Sequence, residues 1–289
     1  MTKRHTAELI LFGATFIWGG TFVIAKLGLE DISPLLLNAL RFTMATLLFF
    51  ILFPKHLLQM SQDSFYKGGI LGLLLFLGFA TQTVGLQYTT ASKSAFITAM
   101  FVVFTPFFQL VIEKRRPHAT NLIGIVIVWV GLWFLTAPSG GGFNRGDGLT
   151  LLCAIVFGIY IVALDIVSKR HDIVHLTFLQ LFSCATLSWI GMGLLEVPVF
   201  KTTPNAFWSL GYLTILATVV TTYVQTRFQR DTTPTRAAII FTIEPVWAAI
   251  LGYVLLEERL GMLGVLGAGL IISGILISEL SDNRNEWNH

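Results

Sequence analysis

The chain has 289 residues, of which 54% are hydrophobic and only 12% are charged. Soluble domains carry about 25% charged residues, so this composition excludes a soluble globular protein and indicates a chain that folds within a lipid bilayer. The formal net charge of +3 is small and dispersed along the chain, which argues against a nucleic-acid partner. Cys153 and Cys184 lie in apolar runs without CxxC spacing and are expected to be buried thiols.

Ten apolar segments follow one another along the chain. A bilayer core about 30 Å thick is crossed by about 20 helical residues, each adding about 1.5 Å. Segments of this length occupy residues 7–28, 33–53, 67–88, 91–113, 119–137, 147–168, 173–196, 206–228, 233–256 and 261–280. The connections between them are rich in charged residues, proline and glycine, as in EKRRPHAT and APSGGGFNRGD. The pattern predicts an all-α integral membrane protein with ten transmembrane helices.

The positions of lysine and arginine predict the orientation of the chain. Twelve of these residues fall on the side of the N-terminus, against four on the opposite side. Segments rich in lysine and arginine stay on the cytoplasmic side of a membrane. Both termini are therefore expected in the cytoplasm, and the chain is expected in the cytoplasmic (inner) membrane as a monomer or a homodimer.

The first helix has a tryptophan and two glycines near its middle. Its apolar segment is too long for a signal peptide and lacks a cleavage site, so it is expected to remain as the first span. Trp18 lies away from the membrane interface, where tryptophan usually concentrates. Gly19 and Gly20 beside it allow close approach of a neighbouring helix or a ligand. Trp18 is therefore a candidate substrate contact.

The second helix carries an intramembrane charge, Arg41, roughly 10 Å from the start of its segment. Three roles are open to this side chain. It could neutralise Glu244, it could bind an anionic or carboxylate substrate through two hydrogen bonds, or it could extend to the lipid headgroups.

Polar residues recur in the third, fourth, eighth and ninth helices. Gln82 and Gln225 lie inside hydrocarbon, where a glutamine side chain needs a partner on another helix or a polar substrate. Lys93 and Arg236 open the fourth and ninth helices on opposite faces of the membrane. They are candidate gates, and the alternative is that they anchor helix ends at the interface.

The ninth helix contains the most informative pair, Glu244 followed by Pro245. Glu244 lies about nine residues into its helix, hence about 14 Å deep and close to the bilayer midplane. A charge at that depth costs at least about 2.5–3 kcal/mol on insertion scales, so it faces a cavity or a partner. Pro245 removes a backbone donor and weakens the helix at the same depth. Glu244 is a candidate for binding substrate and proton, and the alternative is a packing role. Three aromatic residues are further candidates for the cavity lining: Tyr160, Tyr223 and Trp247.

The chain repeats itself weakly. Adding 143 to the residue number pairs Gln82 with Gln225 and Lys93 with Arg236, and adding 139 pairs Trp18-Gly19 with Phe157-Gly158. Five helices per copy is an odd number, so the second copy must be inverted in the membrane relative to the first. Inverted repeats are an architecture of secondary transporters, which bind substrate between the repeats near the midplane. The predicted repeats are residues 1–140 and 141–289.

Several segments together resemble the EamA-type branch of the drug/metabolite transporter superfamily along essentially the whole chain. They are FIWGGTF, ISPLLLNALRF, GLQYTTASKSAFI and IEPVWAAILGYVLLEE. The resemblance implies ten helices in a five-plus-five inverted repeat around a central cavity, and movement of small metabolites, often outward. Members carry amino acids, purines, sugars or drugs. The first copy departs from the second, because it has Thr105-Pro106 where the second has Glu244-Pro245, and Pro106 lies one helical turn beyond the match of Pro245.

We therefore expect a secondary transporter that exports small metabolites, such as amino acids or related amphipathic compounds, by alternating access, with protons as the candidate coupling ion. A passive facilitator is the first alternative, and a midplane titratable group argues against it. A membrane-embedded enzyme is the second. Its metal ligands are not evident, because His171 and His175 have the spacing of two ligands on one helix face but lack a third. No cofactor and no metal site are expected.

Overall fold

In a computed structural model of the chain, the structure describes residues 2–57, 60–114, 119–136 and 144–257, together with short stretches between 262 and 277. Thirteen α-helices lie in the first four of these ranges. They are α1 (Lys3–Gly28), α2 (Pro34–Leu52), α3 (Pro54–Leu57), α4 (Gln62–Leu86), α5 (Ala91–Ala99), α6 (Phe101–Glu113), α7 (Ala119–Thr136), α8 (Arg145–Ser168), α9 (Ile173–Leu195), α10 (Pro204–Thr214), α11 (Thr221–Phe228), α12 (Pro234–Phe241) and α13 (Glu244–Leu256). A π-helical segment, Ile215–Val220, joins α10 to α11, and a 3-10 turn, Gln229–Asp231, follows α11.

Eight helical segments of the described chain are long and apolar enough to cross a membrane. Three of them are composite, because α5 with α6, α10 with α11, and α12 with α13 each form one span. Helix α7 contains a shorter apolar helix, Leu122–Gly131. The predicted tenth helix, 261–280, lies largely outside the described residues, and the positions that are described there are helical. The prediction of an all-α membrane fold is confirmed.

Side-chain caps fix where the helices begin. Thr90 and Thr233, whose numbers differ by 143, accept hydrogen bonds from Lys93 N and Arg236 N at the starts of α5 and α12. Ser61 caps α4, which begins at Gln62 rather than at the predicted residue 67. The difference arises because the first turns of α4 are polar, so they lie outside the apolar segment from which the start of the helix is predicted.

Two spans break at equivalent points. Helix α5 ends at Ala99 and α6 begins at Phe101, while α12 ends at Phe241 and α13 begins at Glu244. The turn bonds are also equivalent, since Met100 N donates to Ile97 O and, in the second copy, Ile243 N donates to Ile240 O. The second break thus comes directly before Pro245. This is the position expected if proline weakens the helix there.

Proline does not explain the first break. Pro106 lies inside α6, several residues beyond the break at Met100. Proline removes the hydrogen bond to the residue four positions earlier and crowds that carbonyl, yet the helix continues past Pro106 to Glu113. The shared feature of the two breaks is therefore the 3-10 turn and not a proline at one common position.

The two halves of the chain share one core. Helix α4 packs against α8 and α9, α2 packs against α9, and α1 packs against α13. A carboxylate ties two of these helices end to end, because Glu196, the C-cap of α9, accepts hydrogen bonds from Leu35 N and Leu36 N at the start of α2. These contacts leave a space between α1, α4, α8 and the two broken spans.

Candidate functional site

The central feature of the bundle is a cavity lined by α1, α4, α5, α6, α8, α11, α12 and α13. The volume of the cavity that is open to water is about 70 Å³. The cavity is therefore narrow in this conformation. Its lining residues are Trp18, Thr21, Phe22, Leu75, Phe79, Gln82, Thr98, Phe101, Phe157, Tyr160, Ile161, Thr222, Gln225, Phe241 and Glu244.

Most of these residues come in pairs, one from each half of the chain. Adding 139 to a lining position in α1, or 143 to one in α4, α5 or α6, gives a second lining position for all but Leu75. The pairs are Trp18 with Phe157, Thr21 with Tyr160, Phe22 with Ile161, Phe79 with Thr222, Gln82 with Gln225, Thr98 with Phe241, and Phe101 with Glu244. The cavity therefore lies on the boundary between the two copies.

Glu244 stands alone in the cavity in two respects. It is the first residue of α13, directly after the break, and of the described residues that line the cavity it alone has a carboxyl, amine, guanidinium or imidazole group. Within the described chain no hydrogen-bond donor or cation contacts its carboxylate. A carboxyl group that faces an internal space without a partner is available to a ligand or a proton.

The polar walls are held by hydrogen bonds to neighbouring helices. Gln82 donates to Thr98 Oγ1 at 3.3 Å, which joins α4 to α5. Tyr160 is buried and its hydroxyl donates to Gln180 Oε1 on α9 at 2.6 Å. Gln225 Nε2 donates to Gln229 Oε1 at 2.9 Å, one turn along its own span. Each of these groups keeps hydrogen-bonding capacity that a bound molecule can use.

An ion pair lies at one end of the cavity. Arg236 at the start of α12 donates through Nε to Glu8 Oε1 on α1 at 2.8 Å, and both side chains are almost fully buried, with 3% and 6% exposed. Thr232 Oγ1 donates to the same carboxylate oxygen at 2.8 Å. The pair therefore joins the first half of the chain to the second.

A second ion pair lies at the other end. Lys93 Nζ on α5 donates to Asp147 Oδ2 on α8 at 2.7 Å, and Thr89 Oγ1 donates to Asp147 Oδ1 at 3.1 Å. Beside them, Lys26 near the end of α1 donates to Leu86 O and Thr89 O. Glu8 and Lys26 are separated along α1 by about 27 Å, at about 1.5 Å per residue. The two ion pairs thus lie at opposite ends of the bundle.

The two ion pairs are copies of one arrangement. Adding 143 converts Thr89 and Lys93 into Thr232 and Arg236, and adding 139 converts Glu8 into Asp147. Each pair takes its cation from one half and its carboxylate from the other. We call them the Glu8–Arg236 latch and the Lys93–Asp147 latch.

Comparison with known proteins identifies the family. A model of the EamA-like transporter family matches the chain twice, over residues 5–137 and 144–280. The chain belongs to the EamA-like transporter family. It is 34% identical to an uncharacterized transporter of Archaeoglobus fulgidus over 96% of this chain and 87% of the relative.

Two further relatives are also transporters by name, and a solved structure shares the fold. The uncharacterized transporter YoaV of Bacillus subtilis is 28% identical over 96% of this chain and 97% of its own length. The uncharacterized inner membrane transporter YedA of Escherichia coli is 24% identical over 96% of this chain and 93% of its own length. A crystal structure with 20% sequence identity superposes with a TM-score of 0.80, covering 98% of this chain and 99% of the other, which shows the same fold.

Arg41 of this EamA-like transporter lies outside the cavity lining. Its guanidinium is buried, with Nε donating to Thr218 Oγ1 and Nη2 donating to Ala217 O at 2.9 Å. Both acceptors belong to the π-helical segment Ile215–Val220, and the guanidinium also lies 4.6 Å from the ring centre of Phe79. Arg41 therefore supplies donors to an irregular stretch of backbone and does not contact Glu244.

The predicted aromatic candidates separate into two groups. Trp18 and Tyr160 line the cavity, with the Trp18 ring edge-on to Phe241 at 5.1 Å. Tyr223 packs beside Phe49 and Phe53, away from the cavity lining. Trp247 packs edge-on against Phe16 at 5.4 Å and is likewise not a lining residue.

The paired glycines of α1 bring neighbouring side chains close. A Cβ added at Gly19 would lie 2.4 Å from Trp247 Cβ and 2.9 Å from Glu244 O, so this glycine seats α13 and the Glu244 backbone against α1. A Cβ at Gly20 would lie 2.4 Å from the Tyr212 hydroxyl, which donates to Ile17 O at 2.7 Å. Both glycines therefore permit close helix packing.

Sequence reasoning identified the cations of both latches but not their carboxylates. Glu8 stands near the N-terminus, where a charge is ordinary, and Asp147 also forms a capping box with Asn144 at the start of α8. The offset of 139, applied to the acidic residues, would have paired Glu8 with Asp147. That pairing is the signal that could have found them.

Proposed function

We propose that this protein is a secondary transporter that exports small amphipathic metabolites across the cytoplasmic membrane by alternating access. The observation that carries the proposal is the cavity on the boundary between two related halves, with an equivalent ion pair at each end. A carrier needs a binding space that opens to one side at a time. Two related closures, one at each end of the bundle, meet that need.

The latches act as the gates. Both ion pairs are formed in this conformation, and release of one pair opens one side. Because the two latches have the same residue pattern, the same kind of ion pair closes either side. A carrier can cycle only when neither state is too stable to leave. With the N-terminus in the cytoplasm, the Glu8–Arg236 latch faces the cytoplasm.

The cavity chemistry favours an amphipathic molecule that bears an amine. Glu244 supplies a negative charge, and the described lining residues include no lysine, arginine or histidine to hold an anion. Aromatic faces attract ammonium groups and pack against apolar parts of a ligand. Gln82, Gln225 and Tyr160 supply hydrogen bonds that orient polar groups. An amino acid would bind through its ammonium group to Glu244 and through its carboxylate to the glutamine amides.

Glu244 couples transport to protons. The unpartnered carboxyl group binds either a proton or the amine of the substrate, but it does not hold both. A proton that enters from outside displaces the substrate, and a substrate from the cytoplasm displaces the proton. Such competition links outward movement of substrate to inward movement of protons.

The first experiment identifies the substrate. Proteoliposomes containing the purified protein are loaded with pooled amino acids, other amines, nucleobases, sugars and cationic drugs, and mass spectrometry measures what leaves, with and without an imposed pH gradient. We expect selective efflux of amine-bearing compounds, which the gradient accelerates. Glu244→Gln removes the acceleration. Glu30→Gln makes the same chemical change at an exposed position and serves as the matched control.

Each other outcome overturns part of the proposal. Selective efflux that ignores the gradient in wild type and in Glu244→Gln identifies a passive facilitator. Selective efflux of anionic compounds contradicts the substrate chemistry. Absence of selective efflux in either orientation of the protein contradicts the transporter function of this chain.

A further inference from the structure

A cluster of two histidines and an aspartate lies at the bundle end that holds the Glu8–Arg236 latch. His56 belongs to the short helix α3, Asp172 is the N-cap of α9, and His175 lies in the first turn of α9. One ligand atom from each of the three side chains lies within 4.8 Å of those of the other two. His56 Nε2 is 3.1 Å from Asp172 Oδ2, and His175 Nδ1 is 3.9 Å from Asp172 Oδ1.

The hydrogen bonds of His175 leave one nitrogen available to a metal. His175 Nε2 lies 2.8 Å from the backbone carbonyl of His56, and a carbonyl only accepts, so Nε2 carries the proton. In the neutral ring Nδ1 then has a free lone pair, and it faces the carboxylate. Metal-binding histidines commonly donate their other nitrogen in this way, which fixes the tautomer and the orientation of the ring.

The carboxylate of Asp172 is also held in place. Its Oδ1 accepts hydrogen bonds from Val174 N and His175 N at 2.9 and 3.0 Å. Oδ2 faces the His56 ring. The side chains of His56 and Asp172 are 53% and 41% exposed, while that of His175 is 10% exposed. The cluster therefore has one buried ligand and two that are open to solvent.

We propose that His56, Asp172 and His175 form a binding site for a divalent transition-metal ion of the Zn²⁺ type, with water in the remaining position. Zinc binds imidazole nitrogens and carboxylate oxygens at about 2.0–2.2 Å, so two tetrahedral ligands are about 3.3–3.4 Å apart. The His56–Asp172 and His175–Asp172 separations bracket that value, and the two histidine nitrogens, which lie within 4.8 Å of each other, reach it by side-chain adjustment. The ion displaces the proton of His56 Nε2.

The site joins the two halves of the chain. His56 lies in the first segment that matches the family model, and Asp172 and His175 lie in the second. A bound ion therefore restrains relative movement of α3 and α9 at the end of the bundle that the Glu8–Arg236 latch closes. The inference does not rest on transport, because metal binding is measured on the protein itself.

A neighbouring histidine supplies the matched control. His171 Nδ1 donates to Val167 O at 2.9 Å and Nε2 lies 2.8 Å from Asp63 Oδ2, so both ring nitrogens face acceptors. His171 lies one turn from His175 but is not among the three side chains whose ligand atoms cluster in the described chain. His171→Ala removes a histidine from the same surface without removing a proposed ligand.

Calorimetric titration of ZnCl₂ into the full-length, tag-free protein in detergent tests the site, with MgCl₂ as the hard-cation comparison. We expect one saturable Zn²⁺ site per chain and no comparable Mg²⁺ binding. Loss of a ligand or of its orienting group weakens metal sites by about tenfold or more, and we expect this for His56→Ala and Asp172→Asn but not for His171→Ala. Both ligand variants preserve the local fold, because asparagine also caps helices and the bond to His56 uses its backbone carbonyl.

The unfolding midpoint provides an independent reading. Zn²⁺ should raise it in wild type and in His171→Ala but not in His56→Ala or Asp172→Asn, while midpoints in the presence of a chelator show that every variant is folded. Wild-type protein that binds no Zn²⁺ overturns the proposal. Equal Zn²⁺ affinity in wild type and Asp172→Asn overturns it as well.

Discussion

The two halves of the molecule supply the cavity with equivalent positions but different chemistry. Gln82 and Gln225 preserve the same side chain across the offset of 143, whereas Phe101 in the first half corresponds to Glu244 in the second. The surrounding backbone is the same in both, since each residue follows a break in its span. The fold therefore provides two equivalent places for a midplane carboxylate, and the chain uses one.

This difference separates two requirements of a carrier. Opening to alternate sides needs related closures, and both latches keep a cation, a carboxylate and a threonine. Coupling needs one group that proton and substrate share, and we propose Glu244 for that role. Two equivalent carboxylates in one cavity would repel each other, and together they would bind up to two protons. The following predictions test whether the halves divide the work in this way.

The largest effect is expected at the pair Phe101 and Glu244. Glu244→Gln keeps the size and hydrogen bonding of the side chain but removes its charge, so gradient-driven transport should be lost. Phe101→Leu changes only the shape of the wall, so the KM should change while the gradient still drives transport. Initial rates measured against substrate concentration, with and without the gradient, distinguish the two. Equal loss of coupling in both variants would contradict the division.

The latches should differ in their contribution to stability. Arg236→Gln leaves Glu8 buried with a reduced set of partners, and breaking a buried ion pair costs about 3–5 kcal/mol of unfolding free energy. Lys93→Gln should cost less, because the Lys93 side chain is 15% exposed against 3% for Arg236, so its ion pair is less completely buried. Unfolding midpoints in detergent measure the order. The double variant Glu8→Gln with Arg236→Gln should recover part of the loss, and failure to recover any would argue against a direct pair.

The loss of stability caused by Gly→Ala at equivalent glycines should increase with how closely the neighbouring helix approaches. A Cβ at Gly19 would lie 2.4 Å from Trp247 Cβ, and one at Gly158, its equivalent in the second half, would lie 2.9 Å from Phe104 Cβ. Overpacking of a tight core costs about 1–3 kcal/mol, so Gly19→Ala should be more destabilising than Gly158→Ala. Gly13→Ala is the control, because a Cβ there meets no atom within 4 Å. A larger loss at Gly13 than at Gly19 would contradict the packing.

The smallest effect is expected at the glutamines. Gln82→Leu removes a hydrogen bond that joins α4 to α5, and hydrogen bonds between membrane helices contribute about 0.6 kcal/mol on average. Gln225→Leu removes a bond within its own span, so it should cost less. Both variants should raise the KM for substrate, because both side chains line the cavity. An unchanged KM in both would remove them from the binding site.

The sequence predicted the spans well and the contacts of individual side chains less well. Hydropathy and length identify membrane helices because the bilayer imposes both, and the internal repeat related Gln82 to Gln225 and Lys93 to Arg236. The same hydropathy does not tell which face of an apolar helix meets the cavity. The sequence therefore does not separate Tyr223 and Trp247 from Trp18 and Tyr160, although only the latter two line the cavity.

The periodicity of hydrophobic residues does not predict where the backbone of a helix becomes irregular. The contacts of Arg41 depend on the π-helical segment Ile215–Val220, where Thr218 Oγ1 donates to Leu213 O five residues earlier. A single-residue shift of this kind leaves no signature in a run of apolar residues and threonines. The break at Met100 likewise has no signal in the sequence, because no proline lies at that position. Glu244 and Pro245 were noticed because a charge and a proline are rare in such a run.

Proton movement driven by substrate tests the central claim most directly. Once the substrate is known, a pH-sensitive dye inside proteoliposomes reports internal pH after a substrate gradient is imposed without a pH gradient. We predict that substrate drives protons in the opposite direction in wild type and in Glu30→Gln, and that Glu244→Gln moves none. Proton movement of wild-type size in Glu244→Gln would contradict the account and assign the coupling to another group.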